Sequence, residues 1–377
     1  MAMFTVVALA ASCTGGPPEG TPSTATPGAS IRSSPQPSPS PVVSEQVVLT
    51  AGLSETPAAW RKVFFVPFGD RPSELGFKFF HESLNSQPSS FAAAADGSFW
   101  IADRWKERLA HYSPKGKFLG AVKVAQPPPG VSIGGLHGRI RDIVFSRERL
   151  YALFDPTGGP IAQVGPDGAI RYLRPQFQGR HLWVAEIFPS DAPLTILVGG
   201  FVDPEQGFVE DGPTGFFRWD PPGRVEQLEG LPNRKGSSVQ LQRLPSPSGT
   251  DQDFALHYSA PGQTFVQPFH VEVRTDRGPA GKSLPAEVGP GNMIAAGDDV
   301  LMYVMLAPSR ARDARRYGGG RWLLRLGRSP VLWERLPDPG ISDEPQSRHL
   351  ALGPDGSIYL MVAEKGGMLI LRRPSPS

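Results

Sequence analysis

The chain has few of the features that mark several protein classes. Among its 377 residues there is one cysteine, Cys13, so no intrachain disulfide can form and packing alone must stabilise the core. The formal net charge is only +2, so nucleic acid is not among the expected partners. The sequence has no Gly-x-Ser-x-Gly motif and no long helical heptads. These absences exclude a disulfide scaffold, a coiled coil and a serine hydrolase of that motif class.

Glycine and proline, by contrast, are abundant, at 43 and 42 residues, and hydrophobic residues make up 39% of the chain. Both residue types interrupt regular structure and favour turns. An excess of turn residues beside ordinary hydrophobic content is typical of many short strands joined by many turns. The composition therefore predicts an all-β protein.

The N-terminus combines a short apolar run with the single cysteine. Residues 4–11 are mostly apolar but too few to span a bilayer, which needs about 20 residues, and small residues lead directly to Cys13. This arrangement resembles the lipobox of bacterial lipoproteins. The resemblance implies cleavage before Cys13 and attachment of a diacylglycerol to its thiol. The alternatives are an ordinary signal peptide and a cytosolic chain with an apolar start.

The segment after Cys13 has the composition of a linker. Residues 14–44 are dominated by Thr, Pro, Ser and Gly, which cannot bury a core. The sequence thus divides into a lipoprotein-type signal peptide (1–12), a disordered tether (13–46) and a folded domain (47–377). This organisation predicts a protein anchored through Cys13 on the extracytoplasmic side of the cell membrane.

Residues 91–122 have the pattern of one four-stranded blade. An apolar run is followed by Asp96 and Gly97, then by strands at 99–102 and 109–112, a turn at 114–116, and a last strand at 118–122. Weaker copies follow at about 50-residue spacing, which indicates a propeller. The sixth copy is one strand short. A segment upstream of the first copy, 63–68 or alternatively 47–50, would supply it and remove the free edges.

The first copy resembles the NHL repeat through Asp96, Gly97, the run 100–103, Arg108 and Gly116. The resemblance implies a six-bladed β-propeller, closed by the N-terminal strand and preceded by the Pro/Ser/Thr-rich tether. Related six-bladed families include the gluconolactonase-like calcium hydrolases, which use a Glu from an early inner strand with an Asn and an Asp from later blades. Here the strand 91–95 contains no acid, and Asn292 is the one suitable Asn.

Several cationic and imidazole side chains precede predicted innermost strands, so the fold would bring them to one rim of the channel. They are His137, Arg139, Arg141, His181, Asn292, Arg348 and His349. Arginines in such a rim could bind a carboxylate or phosphate through paired hydrogen bonds. Converging imidazoles could bind a metal, but no His pair has ligand spacing, so the metal stays unknown. Rim residues that only hydrogen-bond to blade turns are the alternative.

A second cationic feature is the loop 307–321 of the fifth copy. Its arginines are Arg310, Arg312, Arg315, Arg316 and Arg321, opposed by Asp313 alone. Such a loop on an anchored protein could attract anionic lipid headgroups or cell-wall polymers, or it could be a solvated loop without a partner. The acidic loop 203–214 lacks the alternating oxygen ligands of a calcium loop, which favours a solvated loop there.

From these features we expect a monomeric, non-catalytic binding or scaffold propeller without a cofactor. Its ligand would be an anionic small molecule, an envelope polymer or an envelope protein, engaged through the loop-rich face. The alternative is a metal-dependent propeller enzyme of the lactonase or lyase type, and no catalytic residue can be assigned to it. A structural component of an envelope complex is a third class.

Overall fold

The computed structural model of the chain describes residues 42–52, 57, 60–78, 87–124, 139–154, 160–165, 167–190, 193–202, 212–233, 236–244, 253–275, 282–310, 313, 319–338 and 348–374. Cys13, the signal peptide and nearly all of the predicted tether lie outside the described residues. The elements of the described chain are β-strands. Within the same ranges, no helix is long and apolar enough to cross a membrane. The all-β class predicted from composition is confirmed.

The strands vary from two to fifteen residues. In chain order they are β1 (Val42–Val43), β2 (Val47–Gly52), β3 (Arg61–Pro67), β4 (Ser90–Ala93), β5 (Phe99–Asp103), β6 (Arg108–Tyr112), β7 (Phe118–Lys123), β8 (Ile140–Ser146), β9 (Arg149–Phe154), β10 (Ile161–Val164), β11 (Ile170–Leu173), β12 (Gln176–Phe177), β13 (Arg180–Phe188), β14 (Leu194–Phe201), β15 (Gly215–Trp219), β16 (Val225–Gln227), β17 (Leu231–Pro232), β18 (Ser238–Leu244), β19 (Asp253–Ala260), β20 (Gln263–Thr275), β21 (Lys282–Ala296), β22 (Asp299–Pro308), β23 (Gly320–Leu326), β24 (Pro330–Arg335), β25 (Leu350–Leu352), β26 (Ile358–Glu364) and β27 (Gly367–Arg373).

The described strands form five sheets in a propeller-like arrangement. Their strand orders are β4 to β7, β8 to β11, β12 to β16, β17 to β24 with β1 and β2 on β20, and β25-β26-β27-β3. The four strands predicted in residues 91–122 are confirmed as β4 to β7. The prediction of six separate blades is wrong, because the fourth and fifth copies share one ten-stranded sheet.

The merger of these two copies has a local cause in β21. This strand pairs with β20 over its first residues and with β22 over the remainder, so it belongs to both copies. The predicted first strand of the fourth copy, 239–244, is also displaced. It lies in β18, the second strand, because the two-residue strand β17 precedes it. A strand this short gives no alternation that sequence reasoning could detect.

The N-terminal strand completes the last sheet as predicted. β3 pairs antiparallel with β27, and its buried Phe64 packs edge-on against Phe99 of the first sheet at 5.2 Å between ring centroids. Phe99 in turn contacts Tyr359 of the last sheet at 4.9 Å. One apolar cluster therefore joins the chain's first and last sheets. The alternative segment, residues 47–50, lies in β2 and pairs in parallel with β20.

Five strands, one from each sheet, line a common axis, and we call them the axial strands (β4, β8, β13, β21 and β25). β4 contacts β8 and β25, β8 contacts β13, and β21 contacts β25. Tight turns lie at one end of the sheets, which we call the turn face (residues 94–98, 147–148, 297–298 and 353–357, with 233, 236 and 237 beside β17). Asp96 and Asp355 each accept a hydrogen bond from the backbone N–H two residues later, at 2.9 and 3.0 Å. The opposite end, where the first strands begin, is the loop face.

Candidate functional site

Three of the axial strands carry β-bulges near the loop face. The bulges interrupt pairing at Arg141 in β8, at Ala185 in β13 and before Met293 in β21. A bulge inserts an extra residue, bends its strand and redirects the neighbouring side chains. Asp142, Glu186 and Asn292 flank or occupy these interruptions. The local irregularity thus coincides with the polar side chains of the axis.

An ion pair between the last and second sheets lies at the centre of this cluster. Arg348, just before β25, donates from Nε to Asp142 Oδ1 at 2.8 Å and from Nη2 to Oδ2 at 2.7 Å. The two side chains are only 3% and 5% exposed. Ser90 Oγ of β4 donates to Asp142 Oδ1 at 2.7 Å, and Arg348 Nη2 also donates to the carbonyl of Ile187 at 2.6 Å. One guanidinium and one carboxylate therefore tie four sheets together at the axis.

Glu186 is a second carboxyl beside this pair. Glu186 is half-buried, and the charges of Arg141, Asp142 and Arg348 act on it. Burial raises its pKa to about 7, opposed by Arg141 and reinforced by the charge of Asp142. Arg348 also acts to lower this pKa. The cluster consequently holds two cations, one paired carboxylate and one carboxyl that titrates near neutral pH.

Asn292 and His349 join the fifth and sixth copies. Asn292 Oδ1 accepts hydrogen bonds from the backbone N–H groups of His349 and Leu350 at 2.8 and 3.2 Å, and its Nδ2 donates to Leu350 O at 3.3 Å. The His349 ring stacks on Tyr303 at 4.0 Å between centroids. Burial and the nearby Arg321 lower the pKa of His349 to about 3, so its ring is neutral at physiological pH.

The other residues predicted for the rim are placed differently. Arg139 is exposed, and Arg141 is half-buried near Glu186. His181 is half-buried, its ring Nε2 lies 3.4 Å from Gln176 Nε2, and burial followed by the charge of Arg174 lowers its pKa. His137 lies outside the described residues. In the predicted basic loop, Arg310 is exposed and Arg321 neighbours His349, whereas Arg312, Arg315 and Arg316 lie outside the described residues.

A cavity of about 1060 Å³ occupies the axis on the turn side of the Arg348–Asp142 pair. Its walls combine apolar residues, among them Phe91, Val144 and Leu350, with the charged residues Arg147, Glu148, Arg218 and Arg348. Its volume matches or slightly exceeds that of typical small-molecule sites, about 300–1,000 Å³. The cavity reaches the turn residues at Ala95, Arg147 and Pro354. It is therefore approached from the turn face, not from the predicted loop-face rim.

Arg348 has one donor group left over. Its Nη1 is buried and has no hydrogen-bond partner within the described parts of the chain. Arg348 nevertheless contributes to the wall of the cavity, so a permanently charged guanidinium stands beside this space. Among the described residues, no group of three or more His, Cys, Asp or Glu side chains is arranged to hold a metal ion.

Sequence reasoning found Arg348 and Asn292 but missed Ser90, Asp142 and Glu186. The hydrolase resemblance directed attention to an acid in the first inner strand, whereas the acids lie in the second and third, β8 and β13. A usable signal existed, because Glu186 is the one charged residue in the apolar run 182–188. An isolated acid in a strand buried on both faces indicates a paired or functional group.

Comparison with known proteins gives a family model and several solved propellers. A domain of unknown function (DUF7485) matches residues 58–128, and no curated protein matches the chain. A gluconolactonase from Xanthomonas campestris is 13% identical over 86% of this chain and 99% of its own, with a TM-score of 0.39. A virginiamycin B lyase from Staphylococcus aureus is 12% identical over 76% and 94%, with a TM-score of 0.36. A member of the DUF4221 family from Bacteroides vulgatus is 8% identical over 83% and 98%, with a TM-score of 0.41. Likeness at this level assigns no activity to the chain.

Proposed function

We propose that this protein is a binding propeller, held at the extracytoplasmic face of a membrane through Cys13, whose axial cavity takes a small molecule with an anionic oxygen group. The observation that carries the proposal is the guanidinium of Arg348, a permanent cation that lines the cavity. An anionic oxygen group on a ligand would be attracted to this cation. The apolar residues Phe91, Val144 and Leu350 in the same wall can contact an apolar part of the ligand.

The charges of the side chains around Arg348 are compatible with the binding of an anion. Arg348 and Arg141 bring two positive charges, Asp142 brings one negative charge, and Glu186 is partly protonated at neutral pH. With Glu186 protonated, the cluster carries one net positive charge before a ligand arrives. An arriving carboxylate would therefore meet a favourable potential.

Calorimetry with a carboxylate series from acetate to octanoate tests the proposal. We expect octanoate to bind saturably, and the neutral octanamide to bind at least about tenfold more weakly, because a hydrogen bond to a charged group contributes about 1.5–3 kcal/mol. Arg348→Lys keeps a positive charge beside Asp142 but removes the planar guanidinium, and should weaken octanoate binding by a similar factor. Arg139→Lys, at the exposed loop face, is the matched control. Equal octanoate affinity in Arg348→Lys and the native chain would refute the proposal.

Glu186 favours a second candidate, a metal-dependent propeller enzyme of the lactonase or lyase type. A carboxyl with a pKa near 7 is suited to general acid or base catalysis at neutral pH. Elemental analysis of the purified full-length chain, combined with a glucono-lactone hydrolysis assay, separates the two candidates. Stoichiometric metal together with hydrolysis that is lost in Glu186→Gln would replace the binding function by the enzymatic one.

A further inference from the structure

The register of the ten-stranded sheet fixes where the tether segment joins the fold. A continuous row of directly paired residues crosses the sheet from the cavity wall to the edge. The row is Leu231, Val239, Tyr258, Phe265 and Val42. Leu231 lines the axial cavity, so Val42 stands at the same height as the cavity wall, near the turn face.

The direction of β1 shows from which end the chain arrives. β1 runs parallel to β20, and β20 starts from the turn at Pro261 and Gly262. That turn lies at the same end of the sheet as residues 236 and 237, because Ser259 of β19 pairs with Ser238 of β18. The chain therefore enters β1 from the turn face. The segment that precedes Val42 is the one whose composition predicts a tether leading to Cys13.

A cationic groove opens on the same face. It has a volume of about 580 Å³ and shares Ala95 and Pro354 with the axial cavity. Arg61 and Lys62 form one side of it, and both are exposed. Arg61 has no hydrogen-bond or ion-pair partner among the described residues, and Lys62 Nζ lies 5.7 Å from the ring centroid of Phe65.

The acids of this groove are already engaged. Asp96 accepts hydrogen bonds from the backbone and hydroxyl of the serine two residues later, at 2.9 and 2.6 Å. Asp355 accepts the equivalent pair at 3.0 Å each, and it also forms an ion pair with Arg372. Arg61 and Lys62 are exposed to solvent, and with Arg372 they outnumber the two acids of the groove. Val42 and Val43, 58% and 65% exposed, add apolar surface on the same side of the protein.

From these observations we infer that the turn face docks on an anionic lipid surface, so that the mouth of the axial cavity faces the membrane. Two exposed cations, exposed valines and the arriving tether are the components of a peripheral membrane contact, in which each Lys or Arg adds about 1 kcal/mol of attraction to an anionic leaflet. The inference rests on the proposed anchoring of the chain, and it differs from the expectation drawn from the basic loop. Arg310 follows β22 at the loop face, the opposite end of the protein.

The test uses the full chain with Cys13→Ser, so that any binding is independent of a lipid anchor. Vesicles of phosphatidylcholine, with and without phosphatidylglycerol, are sedimented with the protein at low and high salt. We expect binding that requires phosphatidylglycerol and falls with salt. The double variant Arg61→Glu/Lys62→Glu should weaken it at least about tenfold. Arg139→Glu/Arg310→Glu makes the same change of charge at the loop face and should leave binding within about twofold.

Each other outcome overturns the inference. Loss of binding in the loop-face variant alone would assign docking to the basic loop. An equal loss in both variants would indicate attraction through net charge, and no phosphatidylglycerol-dependent binding would remove the membrane contact. Octanoate calorimetry on the same variants keeps the proposed function separate. Arg61→Glu/Lys62→Glu should retain octanoate binding, so a failure of the docking surface is distinguishable from a failure of the cavity site.

Discussion

The ion pair between Arg348 and Asp142 predicts a large and specific coupling in stability. Removing one member of a buried pair leaves an uncompensated charge in the interior, which costs about 3–5 kcal/mol. Arg348→Met leaves the Asp142 carboxylate with only the donors of Ser90 and the Ile143 backbone. Asp142→Asn leaves the guanidinium without its counter-charge. Each single substitution should therefore destabilise the protein by about 3–5 kcal/mol.

The double variant Arg348→Met/Asp142→Asn should be far less destabilised than the sum of the two single variants. Neither charge of the pair is left without its partner, and the main loss is the donor to the Ile187 carbonyl, about 1–3 kcal/mol. Subtracting this from the summed single losses of about 6–10 kcal/mol leaves a coupling of several kcal/mol. The assay is urea unfolding followed by the fluorescence of the seven tryptophans, with circular dichroism as a second probe of two-state behaviour.

An exposed ion pair supplies the matched control. Arg147 and Asp220 approach to 3.3 Å, but their side chains are 55% and 62% exposed. Exposed pairs contribute about 0–1 kcal/mol, so the cycle Arg147→Met/Asp220→Asn should give a coupling in that range. A coupling for Arg348 and Asp142 no larger than this control would refute the view that the axial pair is buried and shared among the sheets.

Two further predictions follow from the titrating groups of the axis. The pKa of Glu186 is raised to about 7 from 4.5, so the folded chain holds a proton that the unfolded chain has lost, and stability should fall as pH rises from about 4.5 to 7. Glu186→Gln should remove that fall, and an unchanged stability profile in calorimetric melting would contradict the assignment. The pKa of His349 is lowered to about 3 from 6.5, so its contribution has the opposite sign and stability should fall as pH drops below about 6.5. His349→Phe, which can still stack on Tyr303, should flatten the acid side of the same profile, and persistence of the acid-side loss would assign it to another group.

The fold could be predicted from the sequence in those copies where the same turn motif recurs. Asp96 with Gly97 and Asp355 with Gly356 each precede a serine, and both sequences form the expected tight turn with a left-handed glycine. The fourth copy lacks this signal. Its first strand, β17, has two residues. Its strand β20 pairs with the parallel strand β2, which lies about 200 positions upstream in the chain. Register against a distant segment depends on tertiary packing that one local sequence does not encode.

Only part of the candidate site could be predicted from the sequence, because it too depends on contacts between distant segments. Arg348 could be placed near the axis by counting strands, but its partner Asp142 is 206 positions away. The bulges that direct Asp142 and Glu186 towards the axis arise from pairing between strands and leave no mark in composition or periodicity. A lone acid in an apolar strand was the available clue, and the expectation of an acid in the first inner strand concealed it.

The position of the Arg348–Asp142 pair also decides which face of the protein matters for binding. The pair links Ser90, at the start of β4, to Ile187, near the end of β13, and the cavity extends from Arg348 towards the turns. A ligand that reaches Arg348 from the turn side passes Arg147, Glu148 and Arg218 as well as apolar residues. The position of the cavity mouth and the placement of the tether therefore favour the same face independently, because one depends on the axial side chains and the other on strand register at the sheet edge.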